Sequence, residues 1–350
     1  DRCIVISDVH MDAWDRDLKD AAEDKRKAFL CFLKWVADMG HAGKVGRFII
    51  AGDLVDVPSR DDLPLLPRYE DVFASLRAVV DAGVRFGYVV GNHDSGVVGL
   101  DIHLTDPPVW IDYPSLVIPS GDKAVYIEHG HLHDPVLLEY VRYHGQTMLA
   151  GGGPGYMPLA KEPSPDAAAA EAVHVQMNRV WQDTWQDAEE GSETASAVAA
   201  FLAEDLQRDY SEDIDPVADA DMIARREELA RALSQPSLVP PDAVSLFGRR
   251  RAPAAPAYQT LLKAYCVAPL WRAAARQRLA AMEAPDQRSF AGIVMGHTHF
   301  ADRRDWEMDG TPRWYINSGS WRYSSADMVV IQDGEATLHE RRYTEALPVL

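Results

Sequence analysis

Five short segments of this 350-residue chain end in side chains able to bind metals. In order they are Asp8 and His10 in SDVH, Asp53 and Asp56 in GDLVD, Asn92, His93 and Asp94 in GNHD, His129 and His131 in EHGH, and His297 and His299 in GHTH. Each alone reads equally well as a turn or a helix cap. Together, each closing an apolar run, they point to one site, because a sheet gathers the carboxyl ends of its strands at one edge. The donors are imidazole, carboxylate and amide oxygen without thiolate. That set suits Mn, Fe, Zn, Co or Ni better than calcium or a structural zinc. They are too many for one ion, but two ions roughly 3.5 to 4 Å apart that share a carboxylate would use them, an arrangement that catalyses displacement at phosphorus. If the last strand runs on through GHTH, alternation puts His297 and His299 on the same side, two donors from one short segment.

The elements that must position these groups are legible as alternating strand and helix. CIVISDVH, RFIIAGDLVD and VRFGYVVGNHD read as strands ending in polar residues. DAAEDKRKAFLCFLKWVADMG and YEDVFASLRAVVDAG between them have helical periodicity with glycine stops at Gly40 and Gly83. This order predicts a buried parallel sheet with its ligand site at the carboxyl ends. After AVYIEHGHLHD comes a Gly/Pro break, LAGGGPGYMP, and residues 151–289 read as a mostly helical insertion, with Pro269 kinking or breaking its last helix. Trp181 and Trp185 share one helix face there, a core-packing pattern. FAGIVMGHTH, PRWYINSGSW, DMVVIQDGE and ATLHERRY then return to short strands, so the catalytic core is assigned to 1–150 and 290–350.

With 47% hydrophobic residues the chain has ample material for a packed core. Its formal charge of −19 leaves no general basic surface for an extended nucleic acid or an anionic membrane. Cys3, Cys31 and Cys266 are widely spaced and form no CxxC pair, which fits a reduced compartment. The sequence shows no basic-then-apolar signal region and no transmembrane stretch, so a cytoplasmic protein is expected.

In content and order, D-x-H, G-D-x-x-D, G-N-H-D, H-G-H and G-H-T-H, followed by NSGSW, resemble the motifs of the calcineurin-like metallophosphoesterases, over roughly residues 1–135 and 290–332. The resemblance implies an α/β fold, a four-layer αββα sandwich, with a dinuclear centre at the sheet edge. It implies that Asp8, His10 and His299 hold one divalent ion and Asn92, His129 and His297 the other, with Asp53 bridging. Manganese is the first choice and Fe, Zn, Co or Ni the alternatives. A hydroxide bridging the metals would attack phosphorus, with His93 protonating the leaving group or stabilising charge on the phosphoryl oxygens and Asp94 orienting His93. Asp56 and His131 are read as neighbours of the ligands, and Arg303, Arg304 and Arg322 as mainly solvated. The expected activity is hydrolysis of a phosphomonoester, phosphodiester or pyrophosphate, on a small phosphoester, nucleotide or lipid-linked diphosphate. The layout is nearest the UDP-2,3-diacylglucosamine pyrophosphatase-like branch, whose third motif carries Arg where this chain has His93. A nuclease or a non-catalytic scaffold is less favoured by the acidic balance and the complete ligand set. The insertion, which carries no motif, is read as a lid or a homo-oligomer interface. Asp53→Asn removes the bridging charge and keeps the shape, so it is expected to abolish turnover while circular dichroism stays that of the wild type.

Overall fold

The computed structural model describes residues 2–14, 18, 21–57, 66–94, 97, 101–102, 109–112, 115–134, 199, 201–233, 269–282, 289–322 and 324–349. The described residues of 2–131 and 279–349 form one compact unit, and those of 132–134 and 199–278 another.

The first unit is built on two mixed sheets. β1 (Cys3–Ile6) is an apolar run buried on both faces. It lies parallel to β2 (Arg47–Ala51), which is followed in parallel by β3 (Arg85–Val89) and β5 (Val109–Asp112). β4 (Asp101–Ile102) pairs antiparallel at one edge, and the hairpin of β11 (Met328–Gln332) and β12 (Glu335–His339) does so at the other. The second sheet runs β6 (Ser115–Ser120), β7 (Lys123–Glu128), β8 (Phe290–Met295), β10 (Thr311–Ser318) and β9 (Ala301–Met308), with β7, β8 and β10 parallel. The parallel pairing that the strand and helix order predicts is present in β1, β2, β3 and β5, and antiparallel strands on either side make the sheet mixed. The outer strands return through tight hairpins, two of them turning on Asp309-Gly310 and Asp333-Gly334, where both residues have positive φ.

Helices α1 (Ala22–His41) and α2 (Glu70–Asp81) cover the outer face of the seven-stranded sheet. Phe29, Phe32, Leu33 and Val36 of α1 and Val72, Leu76 and Val79 of α2 pack with Ile4, Ile6, Phe48 and Ile50. Residues of alternate parity, Val5, Ile49, Ala51 and Val89, point the other way and meet Val125, Ile127, Val294 and Ile316 of the second sheet. Each such buried side chain contributes about 1.5–3 kcal/mol. This is the expected α/β fold, here two mixed sheets with helices, and it is consistent with the sandwich that the motif resemblance implies. Gly40, expected to stop α1, lies inside it. A Cβ at Gly40 would come 2.3 Å from Val84 Cγ2, so this glycine serves close packing.

In the second unit, α3 (Ala220–Leu233) is described, and α4 (Leu270–Ala281) begins directly after Pro269. Pro269 thus stands at a helix start, where its missing N–H costs nothing, and its carbonyl accepts the Ala273 N–H at 3.0 Å. Part-buried ion pairs join Arg272 to Asp219 at 2.6 Å and Arg276 to Asp213 at 2.9 Å. Trp181 and Trp185 lie outside the described residues. No described helix is long and apolar enough to cross a membrane.

One feature of α1 escaped sequence reasoning. Lys25 is fully buried; its Nζ donates to the Ser325 carbonyl and lies 5.2 Å from the Trp321 ring centre and 4.9 Å from that of Tyr343. Burial pushes the ammonium pKa down to about 7, with the Asp327 carboxylate opposing. An unfolded lysine holds its proton to about pH 10.4. Between the two values folding therefore releases a proton, and the burial cost shrinks as pH rises. Lys25→Met, of similar length and apolar, is expected to melt above the wild type at pH 6 to 7, the gain vanishing towards pH 10. Calorimetry across that range checks it, and an absent gain at pH 6 would mean that the carbonyl and the two rings offset the burial fully.

Candidate metal centre

All five motif loops leave the carboxyl ends of strands: β1, β2 and β3 of one sheet and β7 and β8 of the other. Backbone hydrogen bonds lace them together. The Asp8 N–H donates to the Gly52 carbonyl at 3.0 Å and the Val9 N–H to that of Asp53 at 2.8 Å. The Gly296 N–H reaches the His129 carbonyl at 2.9 Å, which ties the two loops of the second sheet. The Trp321 N–H donates to the Asp8 carbonyl at 3.0 Å, and Asn317 Nδ2 to the Gly296 carbonyl at 2.7 Å, so the NSGSW segment anchors both a first-sheet and a second-sheet loop.

Among the described residues, Asp8, His10, Asp53, His297 and His299 have φ between 47° and 73°, the left-handed region that residues with a Cβ rarely enter. The other two such residues, Asp309 and Asp333, are in hairpin turns. β8 ends at Met295, so His297 and His299 are brought to the site by this twisted loop, and strand alternation is not the cause. Gly52 has φ 92°, and a Cβ there would fall 2.3 Å from His129 Nδ1; a Cβ at Gly296 would fall 2.4 Å from Asp8 Oδ2. The glycines of G-D and G-H leave the space that the site groups fill.

The tautomers follow from partners that only accept. His10 Nδ1 lies 2.8 Å from Asp56 Oδ1 and His129 Nδ1 lies 2.9 Å from the Ala51 carbonyl, so both Nδ1 atoms carry the hydrogen. In the neutral imidazoles each Nε2 then presents a lone pair. His10 Nε2 faces His299 Nε2 at 3.1 Å and Asp53 Oδ2 at 3.5 Å. His129 Nε2 faces Asn92 Oδ1 at 3.0 Å and Asp53 Oδ2 at 3.1 Å, and His297 Nδ1 lies 3.1 Å from the same Asn92 oxygen. His299 Nε2 lies 3.3 Å from Asp8 Oδ1. Acceptors converging on acceptors are stable only with positive charge among them, as protons on the rings or as cations between them. Three groups have ligand atoms all within 4.8 Å of one another: Asp8, His10 and His299; His10, Asp53 and His93; and Asp8, Asp53 and His129. The donor set fits divalent metal ions of the borderline class.

The electrostatics show the same demand. Burial disfavours the ionised Asp8, yet the charge of His129 and hydrogen bonds from His10 and His299 hold its carboxyl well below the usual range. Asp53 is lowered likewise, His129 and His93 outweighing burial. Burial works against a charged His10, but Asp56 pushes its imidazole up to about 10; His129, against the same burial, is pushed to about 9 by Asp53 and Asp8.

Of the two expected catalytic residues, His93 is buried beside the cluster, its ring centre 4.7 Å from that of His10. The carboxylate at its Nδ1 is Asp56, at 3.2 Å. Asp94, expected to orient His93, uses its carboxylate elsewhere: it accepts the Leu54 N–H at 2.9 Å, the Gly91 N–H at 2.7 Å and the Tyr88 hydroxyl. Burial, then the charge of Asp53, pushes the Asp94 carboxyl up to about 7. Sequence reasoning also missed Asp12, whose carboxylate accepts the Asp56 N–H at 2.9 Å and the Tyr69 hydroxyl. His131 is buried with its ring centre 5.4 Å from that of His129. Arg303 pairs with Asp305 at 2.8 Å.

Residues 2–167 match the family described as calcineurin-like phosphoesterase. Among solved structures the chain is similar to a conserved predicted phosphoesterase from Streptococcus pneumoniae TIGR4, at 13% identity over 97% of both chains with a TM-score of 0.26. It is similar to a dimetal phosphatase from Danio rerio, at 10% identity over 99% of this chain and 97% of that one with a TM-score of 0.34. The phosphopantetheinyl hydrolase of Mycobacterium tuberculosis is 15% identical over 91% and 90% of the two chains, with a TM-score of 0.29. None of the curated proteins matches the chain. The matched segment carries four of the five motif loops, so over residues 2–167 the chain is similar to the calcineurin-like phosphoesterases.

Proposed function

We propose that the chain hydrolyses a phosphoester with two divalent metal ions, manganese being the first choice. Asp8, His10 and His299 would hold one ion and Asn92, His129 and His297 the other, with Asp53 common to both. One observation carries this reading: His10 Nε2 and His129 Nε2, each left with a lone pair by the partner of its Nδ1, share Asp53 Oδ2 as a neighbour at 3.5 and 3.1 Å. When bound, such ions supply Lewis-acid chemistry, lowering the pKa of water towards neutrality and offsetting phosphoryl charge.

The chain's own groups do the rest. Asp56 Oδ1 occupies the Nδ1 side of His93 at 3.2 Å, which keeps Nε2 as the end that hands a proton to the leaving oxygen. The His93 N–H donates to Asp53 Oδ1 at 2.8 Å, so this proton carrier is tied to the shared carboxylate. With a net charge of −19, small phosphoesters are favoured over extended nucleic acid. Residues 1–150 and 290–350 are assigned to the catalytic core and 151–289 to a helical insertion acting as lid or interface.

Elemental analysis of the purified chain, with hydrolysis of bis(p-nitrophenyl) phosphate and p-nitrophenyl phosphate after adding back Mn, Zn, Fe or Co, tests the proposal. About two ions per chain and metal-dependent turnover are expected by the two-ion argument. Two ions without turnover on either ester redirect the substrate to a nucleotide or lipid-linked diphosphate of the UDP-2,3-diacylglucosamine type. No metal under any loading condition would sink the assignment. His93→Asn should keep the metal content and lower kcat by roughly 10²–10⁴-fold, the range for a lost general acid; loss of metal with it would make His93 a ligand instead.

A further inference from the structure

We propose that Asp94 is a positioning residue that sets the spacing between Asp53 and Asn92, and so builds one of the two ion sites; this rests on the dinuclear reading above. Its carboxylate is fully buried between two motif loops. Oδ2 accepts the N–H of Leu54, the residue after Asp53, at 2.9 Å, and also the Tyr88 hydroxyl. Oδ1 accepts the N–H of Gly91, the residue before Asn92, at 2.7 Å. One short, rigid side chain thus grips both loops from behind. A cross-bond closes the frame, the His93 N–H to Asp53 Oδ1 at 2.8 Å. With Oδ1 held there, Oδ2 is the Asp53 oxygen turned towards His10 and His129.

The chemistry requires a carboxylate at this position. Three donors converge on Asp94, and only a group that accepts at both oxygens satisfies the two loops together. An amide of the same shape accepts at one end and sets an N–H against an N–H at the other, releasing one loop. Tyr88, on β3 and buried, supplies the third donor and fixes the carboxylate plane from the sheet side.

The experiment is calorimetric titration of manganese(II) into the chelator-stripped full chain, for the wild type, Asp94→Asn and Tyr88→Phe, with melting curves for each. His299→Ala, which removes a donor from the other site alone, identifies the steps. The wild type should show two steps. Asp94→Asn should weaken the step belonging to Asn92, His129 and His297 by roughly 10–100-fold, the cost of losing a group that holds a ligand, and move the other by less than about threefold. Tyr88→Phe should shift the same step by a smaller factor. Unchanged steps in Asp94→Asn would overturn the proposal, as would equal weakening of both with a matching fall in melting temperature, which marks a role in the fold at large. If Asp94→Asn does not fold, Tyr88→Phe decides: a shift of that one step supports the clamp, and none or an equal shift of both overturns it. A wild type that takes up no manganese would overturn the dinuclear reading itself, and the clamp with it.

Discussion

Acceptor groups brought face to face are the constraint on which the rest of this structure depends. Asp8, Asp53, Asn92 and the imidazoles of His10, His129, His297 and His299 converge in a space from which water is largely excluded. Buried like-charged and lone-pair groups repel unless positive charge lies among them, and burial strengthens that repulsion because it lowers the local dielectric. Holding five of these residues at positive φ adds strain on the order of 1–3 kcal/mol each, a sum comparable with the net stability of a whole domain. Such an arrangement persists only if something larger over-determines it.

That support comes from the way the strands run. β1, β2 and β3 are parallel in one sheet and β7, β8 and β10 in the other, so their carboxyl ends open onto common edges. The antiparallel strands β4, β6, β9 and β11 lie outside these sets and finish the sheets. Between the sheets, Val5, Ile49 and Val89 pack with Val125, Ile127 and Val294, the residues that immediately precede the motif loops. The same side chains that stabilise the sandwich therefore fix the origin of each loop, and the backbone bonds from Trp321 to Asp8 and from Gly296 to His129 fix its course.

How much of this was legible follows from what the signals measure. Apolar runs closing on Asp, Asn and His show strand ends and donors, and two amphipathic helices show themselves by period, so the core strands, α1, α2 and the donor set could be read directly. β9 was hidden because its sequence, ADRRDWEM, is an exposed edge whose charges erase the apolar alternation on which strand reading relies. The twist at His297 and His299 was hidden because a two-residue spacing suits a strand and a left-handed loop equally well. Lys25 was hidden because a lysine in a helix reads as surface, and only tertiary packing places Trp321 and Tyr343 around it. Much of the insertion lies outside the described residues.

The four motif carboxylates illustrate the remaining gap between residue type and role. Asp8 and Asp53 face the Nε2 atoms of His299, His10 and His129, Asp56 faces the Nδ1 atoms of His10 and His93, and Asp94 faces backbone N–H groups and a phenol. A carboxylate opposite a lone pair calls for a cation, whereas one opposite an N–H is already satisfied and can only orient its partner. Spacing within G-D-x-x-D or G-N-H-D cannot distinguish these cases, since each Asp is the same acceptor in the sequence. The distinction lies in which neighbour donates, and that is decided by where two sheets and their loops bring distant chain segments, such as Asp8 and His297, 289 residues apart, into hydrogen-bonding distance.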